Sequence, residues 1–340
     1  MIWESVLQFV LDLIAIFAVY LIIAISLHIQ SGLAGIPNFG LVFAVAGGAY
    51  TVGALSVIIS STLFGINLAG VDIIRYNSNL TSQINTIIKG APLAGVGLLL
   101  ILVLVAAAIG VILGLIVCVP TIRLREDYLA VTFLMFGEII TYIARAYTPL
   151  VGGPNGVQTP DVFSWAEGYR FFASTIVILA FCLIIYVYSV TLSRSPFGRV
   201  LRAIRDSALA AKSLGKDITY YRLMVVLIGS ALCSIAGALY ALYTTVVMPT
   251  YARGTWTFLP WLMILIGGQG SDLGMLIGTF VCVTANKLIV YFKYYFGFLP
   301  FDVIWLNFIL LGILTILILI FRPEGIVKEK PILKMKVEGK

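Results

Sequence analysis

A chain of 340 residues that is 61% hydrophobic and 11% charged, with a mean hydropathy of +1.08, is too apolar for a water-soluble globule. Soluble domains are roughly half apolar and about a quarter charged, so the bilayer must solvate most of this one. The net charge of +7 needs no nucleic-acid partner, because the basic residues flank apolar runs where anionic lipid and the orientation rule account for them.

A hydrocarbon core of about 30 Å needs about 20 residues at 1.5 Å rise each. That length predicts an all-α, polytopic transmembrane helical bundle of about 8–10 spans, some of them broken or re-entrant. The expected spans are 7–27, 36–61, 93–119, 128–147, 171–192, 223–245, a Gly-broken pair 257–268 and 271–290, and 303–321. The N-terminus has no early Lys or Arg, which a cleavable signal peptide requires, so 7–27 reads as a retained first helix.

Between the first two spans, residues 31–40 carry three glycines and a proline, which disfavour one continuous helix. Irregular backbone at membrane depth survives where protein or a water-filled cavity satisfies it. Ser31, Gly35 and Asn38 are therefore candidates to line a substrate path; close helix packing is the equal alternative. Gly47, Gly48 and Gly53 read as packing residues.

Further along, Asp127 opens a helix that holds Glu138, about 16 Å deeper and near mid-bilayer. An intramembrane carboxylate must be paired, protonated or wet, and is functional by default. Gly152–Gly156 reads as a tight turn or a docking loop on the outer side.

In 193–222, Ser195-Pro196 reads as an N-cap with proline at the first helical position. Phe197, Leu201, Ile204, Ala208 and Ala211 then recur at helical spacing, with Arg199, Arg202 and Arg205 off that stripe. Asp206-Ser207 reads as the cap of a second short helix that stops at Gly215. The apolar stripe needs lipid headgroups or a groove on another protein; periodicity does not choose between them.

The sequence Gly267–Asp272 breaks the next membrane element, and Gly268 and Ser271 join the candidate path. Cys118, Cys182, Cys233 and Cys282 lie singly inside apolar runs and read as buried small hydrophobes.

Orientation follows from charge. Placing the C-terminus inside makes 28–35, 121–127, 193–222 and 322–340 inner segments, and the last three hold two, seven and six of the 22 Lys and Arg. Nine crossings with an outer N-terminus follow. Residues 1–325 read as one transmembrane domain with 193–222 as a cytoplasmic loop, and 326–340 as a basic cytoplasmic tail.

His28 is the single histidine, and no Gly-x-x-x-x-Gly-Lys-Ser/Thr loop exists. No catalytic residue and no metal site are expected. The chain binds no cofactor of its own; if ATP and Mg power the protein, they sit on partner subunits. An intramembrane enzyme lacks its residues here. An ion-coupled secondary transporter working through Glu138 stays open as a different class.

Leu209-Ala-Ala211-x-x-x-Gly215 resembles the EAA motif of ABC-importer permeases, the segment that seats in a groove of the ATPase subunit; Leu209 stands where that motif has Glu. Gly32-Leu-Ala-Gly-Ile-Pro-Asn-Phe-Gly40, Arg123-Leu-Arg-Glu-Asp-Tyr-Leu-Ala130, Gly137-Glu-Ile-Ile140 and Gly153-Pro-Asn-Gly156 are similar to the permeases of branched-chain amino-acid ABC importers. So are Ser195-Pro-Phe-Gly-Arg-Val-Leu-Arg-Ala-Ile-Arg205, Gly237-Ala-Leu-Tyr240, Gly267-Gly-x-Gly-Ser271 and Arg322-Pro-Glu-Gly325. In order and spacing the set resembles the M-type permease over about residues 30–325, with Pro37 where the family pattern often has Leu or Ile.

The resemblance implies uptake of branched-chain or other hydrophobic amino acids across the cytoplasmic membrane. It implies a heterodimer with a sister H-type permease, two cytoplasmic ATP-binding subunits and an extracytoplasmic substrate-binding protein. Phe197, Arg199, Arg202, Arg205, Ala210, Ala211 and Gly215 would form the ATPase-coupling loop. Urea and amide permeases share these motifs.

Overall fold

The computed structural model describes residues 2–68, 70–121, 124, 126–252, 254–292, 303–322 and 324–329. Arg123, Arg125, Arg253 and Lys293, which entered the charge count, and tail residues 330–340 lie outside the described residues.

Helix α1 (Ile2–Leu27) continues without a cap into a single wide π-turn, His28–Leu33. The chain then runs irregularly to Gly40, where α2 (Leu41–Phe64) begins. The break expected within 31–40 is therefore present, and it moves the start of the second helix from residue 36 to 41. Gly65, in the left-handed region, ends α2.

Helix α3 (Asn77–Gly90) lies between the second and third expected spans, where the sequence pattern predicts no crossing. Its signal is short: Leu80, Ile84 and Ile88, four residues apart, are its buried side. Helices α4 (Pro92–Thr121) and α5 (Glu126–Ala146) follow the expected spans. Helix α6 (Thr148–Val151) and the Gly152–Gly156 turn lead into strand β1 (Val157–Gln158). That strand pairs antiparallel with β2 (Val246–Val247), so the glycine run is an ordered turn.

Helix α7 (Arg170–Arg194) is followed by α8 (Pro196–Asp206), α9 (Ala208–Ser213) and α10 (Ile218–Thr244). Asp217 caps α10 by accepting from the amides of Thr219 and Tyr220 at 3.0 and 3.3 Å. Helices α11 (Thr255–Gly267) and α12 (Asp272–Tyr291) form an antiparallel hairpin, and α13 (Val303–Phe321) closes the described helices.

Among the described residues, seven helices are long and apolar enough to cross a membrane. Helix α13, a 19-residue apolar run, matches the last expected span. Helix α11 is 13 residues long, or about 20 Å, and falls short of a full crossing. It begins past β2 on the hairpin side and ends at Gly267 among the loop-end residues, so the expected Gly-broken pair 257–268 and 271–290 is present as a short helix followed by a full-length one.

The core is built on α10, which lies against α2 and α4. Backbone closeness decides this packing: a methyl at Gly48 would collide with the Ser234 carbonyl, and one at Gly237 with the Val45 carbonyl. Gly47 and Gly53 are packed against side chains instead, Leu113 at the first and Val157 at the second, as the packing reading expects. All four cysteines are buried and free, again as expected.

The irregular segments sort to the two ends of the bundle. At the hairpin end, the Asn77 side chain accepts from the Gln158 amide at 2.8 Å, Asn85 accepts from Asp161 at 2.7 Å, and Tyr50 donates to the Pro249 carbonyl at 2.8 Å. At the loop end, α8 and α9 gather with residues 28–33, 268–272 and 324–329. Residues 326 and 327 donate backbone hydrogen bonds to Ile266 and Gly267. The described residues just after 325 thus pack on the bundle.

Candidate functional site

The loop end brings together most of the residues singled out in the sequence. Helix α8 starts where expected: Ser195 Oγ accepts from the Gly198 amide at 3.2 Å, and Pro196 is its first residue. Ser207 caps α9 by accepting from Ala210 at 3.3 Å. Gly215 takes the left-handed conformation (φ +76°) that stops the short helix.

The apolar stripe finds its partner inside the chain. Leu201, Ile204 and Ala211 are buried, and Phe197 packs against Tyr221 with ring centroids 5.5 Å apart. The expectation that this stripe awaits lipid or a foreign groove is corrected: α8 lies on the bundle it belongs to. What stays uncovered is a different pair, Leu209 and Leu214, exposed by 78 and 79% beside exposed Ala210 and Gly215. Periodicity missed them because they flank the stripe rather than continue it.

The three arginines separate. Arg199 is exposed. Arg202 turns inward, donating to the Ser193 carbonyl at 2.9 Å while its Nε lies 3.3 Å from Glu329 without the alignment of a hydrogen bond. Arg205 reaches furthest. It donates to the Gly32 carbonyl at 2.5 Å and to Glu329 at 3.0 Å. Burial works against the Arg205 charge, but hydrogen bonds and Coulomb attraction from Glu329 and Asp206 outweigh it and hold the guanidinium above its usual range.

Below the arginines lie both broken elements. Gly35 gives its space to the Arg205 stem. Ser31 Oγ accepts from the Gln269 side chain at 2.9 Å, which joins the π-turn to the α11–α12 loop. Gly268 (φ +118°) packs on the Val327 carbonyl, and Ser271 caps α12 through the Gly274 amide at 3.1 Å. Asp272 takes one hydrogen bond from His28 Nε2 and one from Ser193 Oγ, both at 3.0 Å. His28, Asp272 and Glu329 were not singled out by the sequence; each is an isolated residue whose partners are distant in the chain.

Asn38 sits one layer deeper. It donates to Gln30 at 2.7 Å, accepts from the Gly40 amide at 2.7 Å, and its carbonyl takes the Trp261 indole at 3.0 Å. The space beside it holds only about 10 Å³. Ser31, Asn38 and Ser271 are all buried and satisfied, so in this conformation they close packing instead of lining an open route.

Glu138 is not part of this assembly. It lies exposed on α5, on the side with Val131, Met135 and Tyr142, while Gly137 and Ile140 face α2. Among the described residues no group of His, Cys, Asp and Glu could hold a metal ion.

A family model described as the permease component of the branched-chain amino acid transport system matches residues 9–319. A probable branched-chain amino acid transport permease protein LivM of Methanocaldococcus jannaschii is 36% identical over 95% of this chain and 94% of its own length. The high-affinity branched-chain amino acid transport system permease proteins LivM of Salmonella typhimurium and Escherichia coli are 28 and 27% identical, each over 96% of this chain and 72% of their own length. No solved structure matches the chain significantly.

Proposed function

The chain belongs to the branched-chain amino acid transport permease family, and from that membership we propose how its two ends divide the work. It is the membrane-spanning permease subunit of an ABC importer for branched-chain amino acids. The loop end faces the cytoplasm, where α8 and α9 meet an ATP-binding subunit. The hairpin end faces outward, toward a substrate-binding protein. ATP and Mg are held by two ATP-binding subunits, and a sister H-type permease completes the membrane pair.

One observation carries the coupling role. Leu209 and Leu214 project from a capped short helix whose base is fixed, through Arg205, to the carbonyl of Gly32. Two exposed leucines on a rigid mount are suited to a partner's apolar groove, since burying a leucine contributes about 1.5–3 kcal/mol. A push on that mount is delivered to the π-turn and the α11–α12 loop. Phe197, Ala210, Ala211 and Gly215 shape the mount, Arg202 and Arg205 transmit, and Arg199 faces the partner.

The Glu138 side of α5 supports the pairing with a sister permease. A carboxylate at that depth needs water or protein around it, so this face is the one we assign to the subunit interface.

The test is a double substitution, Leu209→Glu with Leu214→Glu, in the reconstituted complex. The expected result is loss of ATPase copurification and of uptake, with the permease pair still inserted. Normal copurification would remove α9 from the coupling interface.

A further inference from the structure

Between α1, α10 and the α11–α12 hairpin lies a cavity of about 200 Å³, on the hairpin side of the bundle and away from the loop-end cluster. An apolar cavity of about 150 Å³ accommodates benzene, so this one has room for a single small molecule. Its floor is aliphatic, from Ile16, Leu259, Met263 and Val283. One wall is Trp256, stacked on Tyr20 at 4.8 Å and set edge-on to Tyr240 at 4.9 Å, so its position is fixed from both sides.

The rim is polar and partly unspent. Thr255 and Asn286 line it, and neither side chain has a partner among the described residues. Lys287 also lines it, and its Nζ lies 2.5 Å from Asp12 Oδ2, with Tyr243 donating to the other Asp12 oxygen at 2.9 Å. Asp12 lies about 9 Å along α1 from the start of its apolar span, so the pair lies within the bilayer-spanning part of the helix. Charges there are costly and mark ion or substrate pathways. Thr255 is also the first residue of the short helix α11, whose free N-terminal amides favour a carboxylate.

We propose that this cavity is a binding site, within the single chain, for one zwitterionic amino acid with a branched aliphatic side chain. The inference rests on the transport function above and adds a place to it. The α-carboxylate is taken by Lys287 and the start of α11, the side chain by the aliphatic floor, and the α-ammonium by Asp12, which lies just beyond the lining behind Lys287. The Asp12–Lys287 pair is what the zwitterion replaces: two opposite charges that a neutral, doubly charged ligand satisfies together. A ligand with a charged side chain would leave that charge unpaired on Ile16 and Val283.

The experiment uses the whole complex in proteoliposomes and measures leucine uptake. Val283→Trp fills the cavity and is expected to lower uptake at least about ten-fold, while copurification with the ATP-binding subunits shows that the variant is folded. The charge swap Asp12→Lys with Lys287→Asp keeps an ion pair but reverses it. Because Tyr243 also donates to Asp12, the swap is read beside Tyr243→Phe, which removes that bond alone: a purely structural pair would leave uptake in the swap no lower than in Tyr243→Phe, whereas the site reading expects it about ten-fold lower.

Wild-type uptake by the swapped and the filled variants overturns the site. So does a phospholipid that native mass spectrometry finds retained in the wild-type cavity, lost in Val283→Trp and not displaced by leucine. If the unmodified complex imports no branched-chain amino acid, the transport function itself fails, which is distinguishable from variants behaving normally in a complex that does.

Discussion

Arg205 of α8 donates a 2.5 Å hydrogen bond to the carbonyl of Gly32, 173 residues earlier in the chain. This bond ties the coupling segment to a turn that cannot satisfy its own backbone. Widening at residues 28–33 and the break after them leave carbonyls without helical donors, and a planar guanidinium supplies one while pairing with Glu329. Arg205→Ala leaves the Gly32 carbonyl without this donor and Glu329 with Arg202 alone, at a cost of about 1–3 kcal/mol. Thermal unfolding of the purified complex should show a lowered midpoint. ATP hydrolysis should continue while uptake falls by about ten-fold, since the lever is cut but not the engine. Arg205→Lys keeps charge without the fork and is expected to fall between the two. An Arg205→Ala complex with unchanged coupling of hydrolysis to uptake would remove this bond from the transmission route.

The core makes a sharper demand on volume. Gly48 and Gly237 bring α2 and α10 so close that a Cβ at either meets the opposite backbone, which a rotamer change cannot relieve. Gly48→Ala and Gly237→Ala are each expected to reduce the folded yield from membranes severely, at a cost of about 3 kcal/mol or more. Gly97→Ala, where nothing lies within 4 Å, is the control and should express normally. Size-exclusion profiles of the detergent-extracted protein check all three.

The spans were legible because apolar runs of membrane length have few alternatives. Most helix boundaries follow from local rules: Ser195 with Pro196, Ser207 and Gly215 all act as their residue types suggest. What stayed hidden depends on distant pairs. Nothing local to Asp272 names His28, 244 residues away, and nothing local to Glu329 names Arg205. The apolar stripe of α8 was visible, but its direction was not, because periodicity gives a face without saying what covers it. Helix α3 escaped for a related reason. Its polar side and short length resemble a loop until Leu80, Ile84 and Ile88 are seen against the bundle.

The exposed side of α5 gives a prediction about assembly. Glu138 shares that side with Val131, Met135 and Tyr142. If the sister permease covers it, Glu138→Cys should form disulfide crosslinks to cysteines introduced along the facing helix of that subunit. Nucleotide should change the yield. Glu138→Gln, which keeps shape and removes charge, is expected to alter uptake with little effect on expression. Crosslinking to lipid-soluble reagents alone would place this face against the bilayer instead.

Asp272 is the other joint whose loss can be read directly. Its two carboxylate oxygens hold His28 at the end of α1 and Ser193 near the end of α7, and its position in the first turn of α12 suits a negative charge. Ser193 in turn offers its carbonyl to Arg202, so one side chain joins three helices to the coupling segment. Asp272→Asn retains the shape and one acceptor but cannot take two charge-assisted bonds, and should cost about 1 kcal/mol. Asp272→Ala strands the buried His28 imidazole and the Ser193 hydroxyl and should cost about 2–3 kcal/mol, lowering the thermal midpoint further. His28→Ala combined with Asp272→Ala is expected to be less damaging than the sum of the two single changes, because the groups left unpaired are removed together. Three melting curves measured in one detergent decide it: strict additivity would mean that His28 and Asp272 act independently and that the joint lies elsewhere.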